Sequence, residues 1–171
     1  GGFKAVVWTE VMQFFVFFGG GIIILILISQ QVGGWGELFS TASATGKTRW
    51  FNPSLDPKDA RTLLSAVFAY AVLEIAIRGC DQQFVQRYLS CNSVKEAKKS
   101  SVLSMLLGVV VSLLFYWVGA AQYVYYKVAK VSYLPEELSV NQVFPWFITH
   151  DLPIGIRGAI VAAIYAAAMS S

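Results

Sequence analysis

Residues Glu74–Arg87 hold the side chains in this chain best suited to chemistry. They read Glu-Ile-Ala-Ile-Arg-Gly-Cys-Asp-Gln-Gln-Phe-Val-Gln-Arg and directly follow the apolar run Leu63–Leu73. Glu74 and Arg78 stand four apart, so on a helix they share a face. Gly79 offers a place to unwind. Asp81, Gln82, Gln83 and Gln86 then add acceptors and donors. Two uses fit this pattern. One is an internal ion pair that packs helices, each charge lowering the cost of the other. The other is the wall of a watery cavity, where charged groups at membrane depth mark a solute or ion path. The polarity of the whole run exceeds what one structural pair needs, which makes Glu74, Arg78, Asp81 and Gln82 the candidate solute-binding residues.

Two further places could hold a cation. The segment Ala166-Ala167-Ala168-Met169-Ser170-Ser171 has small residues that let helices approach closely. Its serine hydroxyls and a nearby backbone carbonyl are also hard oxygen ligands, suited to a monovalent cation that must be released again. Glu10, after Trp8-Thr9, is either interfacial, about a turn beyond Lys4, or faces a cation path.

Other motifs fail on spacing. Gly46-Lys47-Thr48 resembles the end of a phosphate-binding loop, but Thr41 stands where that motif needs glycine. Asn52-Pro53-Ser54 is barred from N-glycosylation by its proline. Cys80 and Cys91 lack metal-ligand spacing with each other or with His150, the only histidine, and are expected as free apolar thiols. No Ser/His/Asp or Cys/His set is evident, so an enzyme is not expected, nor any cofactor.

The elements that must position these residues are membrane helices. Of 171 residues, 56% are hydrophobic and 13% charged, against roughly 45–50% apolar and about 25% charged in soluble domains. The net charge of +3 forms no basic face, so nucleic-acid binding is not expected. Four apolar segments approach the ~20 residues a spanning helix needs: 5–28, 62–88, 102–126 and 154–171. The first holds Gly19-Gly20-Gly21. The third ends in Tyr116, Trp117, Tyr123, Tyr125 and Tyr126, the composition of an interfacial aromatic belt. Gly33-Gly34 and Leu152-Pro153 are turn and stop signals, and Val143–Ile148 is an amphipathic stretch. Leu89–Ser101 carries Lys95, Lys98 and Lys99 against Glu96 alone, which assigns this loop to the cytoplasm. Gln30–Lys58 and Lys127–Pro153 then fall outside. No sustained strand alternation supports a barrel. The chain opens directly on a membrane-entering pattern and closes inside an apolar run, and it is expected to be a piece of a longer protein.

Three motifs in order resemble the sodium/solute symporter family, the sodium:glucose-cotransporter-like carriers. Gly1–Gln13 looks like the start of the family's fifth core helix. Asp81–Ser90, reading Asp-Gln-Gln-Phe-Val-Gln-Arg-Tyr-Leu-Ser, looks like the end of its sixth. Leu152–Gly158 with Ala166–Ser171 looks like the entry and middle of its eighth. The resemblance covers essentially the whole chain. It implies an all-α, polytopic membrane protein, here core helices five to eight of a leucine-transporter-like inverted-repeat fold with a broken helix. Binding in such carriers lies near the bilayer midplane.

The resemblance also implies roles. The Ala167 carbonyl, Ser170 and Ser171 match the eighth-helix part of the family's sodium site. Glu10 stands where the family usually has Asp, on the sodium exit route, and Arg87 is its candidate partner at the inner gate. Sugar-carrying members have an amide or hydroxyl at the position of Glu74, an aromatic gate at Ile77 and a lysine at Gly108. Their absence here, with Glu74 and Arg78 present, favours a charged or zwitterionic solute. The expected function is a multi-pass cell-membrane carrier that couples sodium influx to uptake of a small organic solute by alternating access. The alternatives are a non-transporting sensor input domain, a channel-like solute pore and a membrane-embedded enzyme.

Overall fold

The computed structural model describes residues 3–48 and 62–170, and no strand occurs among them. The helices are α1 (Phe3–Val32), α2 (Trp35–Ala44), α3 (Leu63–Cys80), α4 (Gln82–Leu89), α5 (Val94–Tyr123), α6 (Val143–His150) and α7 (Ile154–Ser170). A π-helical turn, Val124–Val128, continues α5, and a short 3-10 turn, Val140–Gln142, leads into α6. Among the described residues two helical stretches are long and apolar enough to cross a membrane, Ala5–Val32 and Val94–Val128. The described residues divide into two compact units, 3–48 with 110–170, and 62–109.

In the first unit α1 packs most extensively along α7, and more briefly on α2 and the π-turn. Ile24, Ile28, Leu38, Val118, Ala121, Val124 and Phe147 form its core. The expected close packing at Gly19-Gly20-Gly21 falls on two of the three glycines. A Cβ on Gly21 would lie 2.9 Å from Leu114 of α5, and one on Gly20 would touch Ile160 of α7 at 3.4 Å, whereas Gly19 meets open space.

The Gly33-Gly34 turn signal is borne out. Both residues have positive φ, +106 and +103, and the Gly34 N–H donates to the Ser29 carbonyl at 2.6 Å. The bond satisfies one of the open carbonyls at the end of α1. The chain then doubles back as α2, an element unexpected within a segment read as polar loop.

The aromatic belt needs correction. Tyr116 and Tyr123 are exposed, but Tyr125 and Tyr126 are buried, at 3% and 5% exposure. The π-turn swings both rings inward, edge-on to Phe147. Their hydroxyls meet a carboxylate. Tyr126 donates to Asp151 Oδ2, and the Tyr125 hydroxyl lies 3.2 Å from Gln31 Oε1 and 3.4 Å from Asp151 Oδ1. A buried tyrosine needs such a partner, and Asp151, in the turn between α6 and α7, supplies it. Leu152-Pro153 ends α6 as expected.

The second unit holds α3, α4 and the first part of α5. The helix break falls at Asp81, two residues after the expected Gly79, and is one residue long. The Asp81 N–H donates to the Ile77 carbonyl at 2.9 Å, and its own carbonyl accepts from the Val85 N–H at 3.1 Å. Helical spacing therefore persists across the interruption, while Gly79 stays inside α3. The cationic loop is shorter than expected, because α5 starts at Val94 rather than near Val102. The Ser93 hydroxyl accepts from the Glu96 N–H at 3.2 Å, and Glu96 accepts from the Asn92 N–H at 3.1 Å. This near-capping box starts the helix early, so Lys95, Lys98 and Lys99 ride on its first turns.

Gly34 has φ 103 and ψ 172, a region open almost only to glycine, yet a Cβ there would touch nothing. Gly34→Ala should therefore destabilise the complete protein by about 1–3 kcal/mol through backbone strain alone. Gly36→Ala, inside α2 with equally open space, should leave the melting temperature unchanged or raise it. Thermal denaturation of the two variants side by side checks this.

Candidate functional site

Glu74 and Arg78 meet as their spacing requires. Arg78 Nε donates to Glu74 Oε2 at 2.6 Å, and the two form an ion pair within α3. Arg78 has a further partner that sequence reasoning missed. Its Nη1 donates to Ser104 Oγ on α5 at 3.2 Å, and its guanidinium lies over the Phe84 ring, 5.2 Å from the centroid. Ser104 in turn donates to the Ser101 carbonyl at 2.9 Å, so its lone pairs are free to accept from Arg78. Tyr88 of α4 reaches Ser101 Oγ at 3.5 Å. The i,i+3 spacing of Ser101 and Ser104 puts two hydroxyls on one face of α5. That was a readable signal, though it names no partner.

This cluster joins α3, α4 and α5 within the second unit. Arg78 keeps little exposure, while about half of the Glu74 side chain is open, 19% against 47%. Arg78 is therefore largely engaged with internal partners, and Glu74 retains room for a ligand. Asp81 and Gln82, at the break between α3 and α4, are exposed. Arg87 lies on α4 and is exposed.

The remaining expected residues lie in the first unit. Glu10 is half-buried on α1. Ala167 and Ser170 fall in the last turn of α7, and Ser171 lies outside the described residues. The packing of α1 on α7 sets a register. Tyr125 bridges Gln31, near the end of α1, to Asp151, just before α7, and Gly20 faces Ile160. The two helices therefore run antiparallel, with position numbers summing to about 180 at the Gly20–Ile160 contact. Carried along at the common helical rise of about 1.5 Å per residue, the same register brings Ala167–Ser170 level with Glu10–Gln13. Glu10 and the last turn of α7, far apart in sequence, thus come to one depth.

His150 stacks on Trp146 at 3.6 Å between centroids and touches Thr149 Oγ1 at 2.8 Å. Both cysteines are free, and no cluster of three or more metal-ligating residues occurs among the described residues.

Large apolar side chains stay bare along α1, α3 and α5, among them Phe15, Phe68, Val72, Ile75 and Leu106. An all-α chain with such an exterior, two membrane-length helices and a polar break within a third apolar segment belongs to the α-helical membrane proteins. Residues 1–171 match the sodium:solute symporter family throughout, and the chain belongs to that family. It is 35% identical over its whole length to the sodium/sialic acid symporter of Proteus mirabilis, covering 34% of that protein. It is 30% identical to the sodium/glucose cotransporter of Vibrio parahaemolyticus, again covering all of this chain and 34% of the relative. A solved structure described as the substrate-bound outward-open state of a Na+-coupled sialic acid symporter superposes with a TM-score of 0.78. Identity there is 35%, with all of this chain and 36% of that one covered. The chain thus spans about a third of the length of these relatives, all of them transporters by name.

The two uses of the Glu74–Arg78 pair separate experimentally. Arg78→Met should lower the melting temperature of the complete protein by leaving Glu74 without its cation. Adding Glu74→Met should recover most of that loss if the pair serves packing. Solute affinity, read as KM for uptake, should not recover in the double variant if Glu74 also touches the solute.

Proposed function

We propose that the complete protein is a secondary active transporter of the cell membrane, crossing it several times, that couples inward sodium flow to uptake of a small organic solute. The observation that carries this is the whole-length likeness to Na+-coupled symporters, in sequence and in backbone, joined to the α1–α7 register. The Ala167 carbonyl, Ser170 and Ser171 supply hard oxygens to sodium, as the family resemblance implies. Glu10, at the same depth, gives a released ion a carboxylate to pass. Glu74, Asp81 and Gln82 contact the solute, and Arg78 holds Glu74 in place as well as pairing with α5. No covalent step is needed. Coupling arises because sodium binds the outward-open state more tightly and thereby shifts the population in which the solute site is formed.

The solute is a small organic acid or zwitterion. Glu74 stands where sugar-carrying relatives are expected to hold an amide or hydroxyl, and it is paired with the cation of Arg78. A relative named for sialic acid, a carboxylate-bearing sugar, is 35% identical, against 30% for one named for glucose.

Uptake of labelled sialic acid, lactate and glucose into vesicles holding the complete protein tests this. Uptake of an acid should rise with an inward sodium gradient and collapse when potassium replaces sodium. Ser171→Ala should raise the sodium concentration for half-maximal uptake severalfold. Uptake indifferent to sodium would sink the coupling. The family resemblance makes Arg87 the candidate partner of Glu10 at the inner gate. Glu10→Arg and Arg87→Glu should each abolish uptake, and the double reversal should restore a measurable part of it. A double variant as inactive as the singles removes the pairing.

A further inference from the structure

The three lysines at the start of α5 take no part in the Glu74–Arg78 cluster, although they share a helix with Ser101 and Ser104. Lys95, Lys98 and Lys99 follow the i, i+3, i+4 spacing of one helix face, and all three are exposed. None of them makes an ion pair among the described residues. Glu96, the acid between them, is engaged elsewhere, its Oε2 accepting from the Asn92 N–H at 3.1 Å. Like charges at this spacing repel one another, and cations at the start of a helix oppose its dipole. The arrangement therefore costs α5 stability, and an anion beside it would relieve that cost.

The same face continues as bare apolar surface. At about 100° per residue, Val102, Leu106 and Val109 fall in the arc of the lysines, and each is more than half exposed. Ser101 and Ser104, which meet Tyr88 and Arg78, lie roughly 140° around the helix from that arc. The lysine face is thus turned away from the packing of the second unit. Depth agrees with this. Val94–Val128 has 35 residues. That is about 50 Å at the common helical rise, against a hydrocarbon core of about 30 Å. Charges are costly in that core, so the surplus length puts the lysines at the level of the headgroups. Cations at headgroup depth above bare aliphatic side chains match the two-part chemistry of a phospholipid.

We propose that this face of α5 binds an anionic phospholipid of the cytoplasmic leaflet. Its phosphate lies among Lys95, Lys98 and Lys99, and its acyl chains run along Val102, Leu106 and Val109. Basic groups beside a membrane attract anionic headgroups in this way. The leaflet follows from the lysine distribution, which assigns this end of α5 to the cytoplasm. A zwitterionic lipid fits the aliphatic strip equally well, but it brings a cation along with its phosphate. The anionic lipid relieves the repulsion at the start of α5 and so steadies the helix that presents Ser104 to Arg78. Binding requires a membrane but neither sodium coupling nor any particular solute, so it stands apart from the proposed transport function.

The test reads which lipid touches the strip. Leu106→Cys is placed in the complete protein with its other cysteines replaced by serine, and the thiol carries a small fluorophore. The protein is reconstituted in phosphatidylcholine bilayers with a minority of phosphatidylglycerol. In one sample only the phosphatidylglycerol has brominated chains, which quench on contact. In the other an equal mole fraction of the phosphatidylcholine has them. Brominated phosphatidylglycerol should quench about threefold more strongly. Lys95→Gln, Lys98→Gln and Lys99→Gln together should bring the two lipids to equality. A fluorophore at Val72→Cys, on the bare surface of α3, should be quenched equally by both throughout. Equal quenching at Leu106→Cys with the lysines present overturns the proposal. So does a preference that survives loss of the three lysines, or one as large at Val72→Cys. Absence of quenching by either lipid at Leu106→Cys also overturns it, because another part of the protein then covers the strip. A preference that persists in a protein lacking sodium-driven uptake would keep this site while rejecting the coupled-transport function.

Discussion

Polar groups in an apolar, helical chain must find partners inside the protein, and the rest of this structure follows from that obligation. Helices satisfy the backbone internally, which leaves the side chains still to be matched. Asp151 meets Tyr126 and Tyr125, and through Tyr125 it connects to Gln31. That one carboxylate ties the end of α1, the π-turn of α5 and the entry to α7. Arg78 performs the same service in the second unit, with Glu74, Ser104 and Phe84 around it.

The Asp151 tie has consequences at the other end of the same helices. Once Gln31 and Asp151 are joined through Tyr125 and Gly20 faces Ile160, the antiparallel register of α1 and α7 has little freedom. Interiors packed to near-crystalline density do not slide continuously. Glu10 and the last turn of α7 therefore share a depth without needing any sequence proximity. Gly21 serves the same packing, since a Cβ there would oblige the Leu114 side chain of α5 to shift.

Much of the architecture was legible in residue types and spacing. The apolar runs foretold helices, Gly33-Gly34 the turn after α1, and Leu152-Pro153 the end of α6, because each signal acts through its own backbone. The i,i+4 pair of Glu74 and Arg78 was legible for the same reason. The misreadings are equally physical. Gly79 looked like the break by flexibility, but the interruption sits at Asp81, where flanking backbone hydrogen bonds keep helical spacing. Ser93 and Glu96 form a start signal that brings α5 in at Val94, so Leu89–Ser101, expected as a short cationic loop, is in larger part helix. Tyr125 and Tyr126 looked interfacial by composition, whereas a π-turn and a distant aspartate drew them inside.

By itself, the sequence determined an all-α membrane chain of the sodium:solute symporter family, its turns, and the residue types available to bind a cation and a solute. Hydropathy, glycine and proline placement and short motifs act over a few residues, and each can be read where it stands. Only the tertiary structure decided which of those residues meet. Arg78 finds Ser104 across 26 positions and Tyr125 finds Gln31 across 94. Such partners are chosen by the packing of whole helices, and no local pattern carries that information. The unpaired amide of Gln122 belongs to the same class, since its lack of a partner is visible only once every described neighbour is in place.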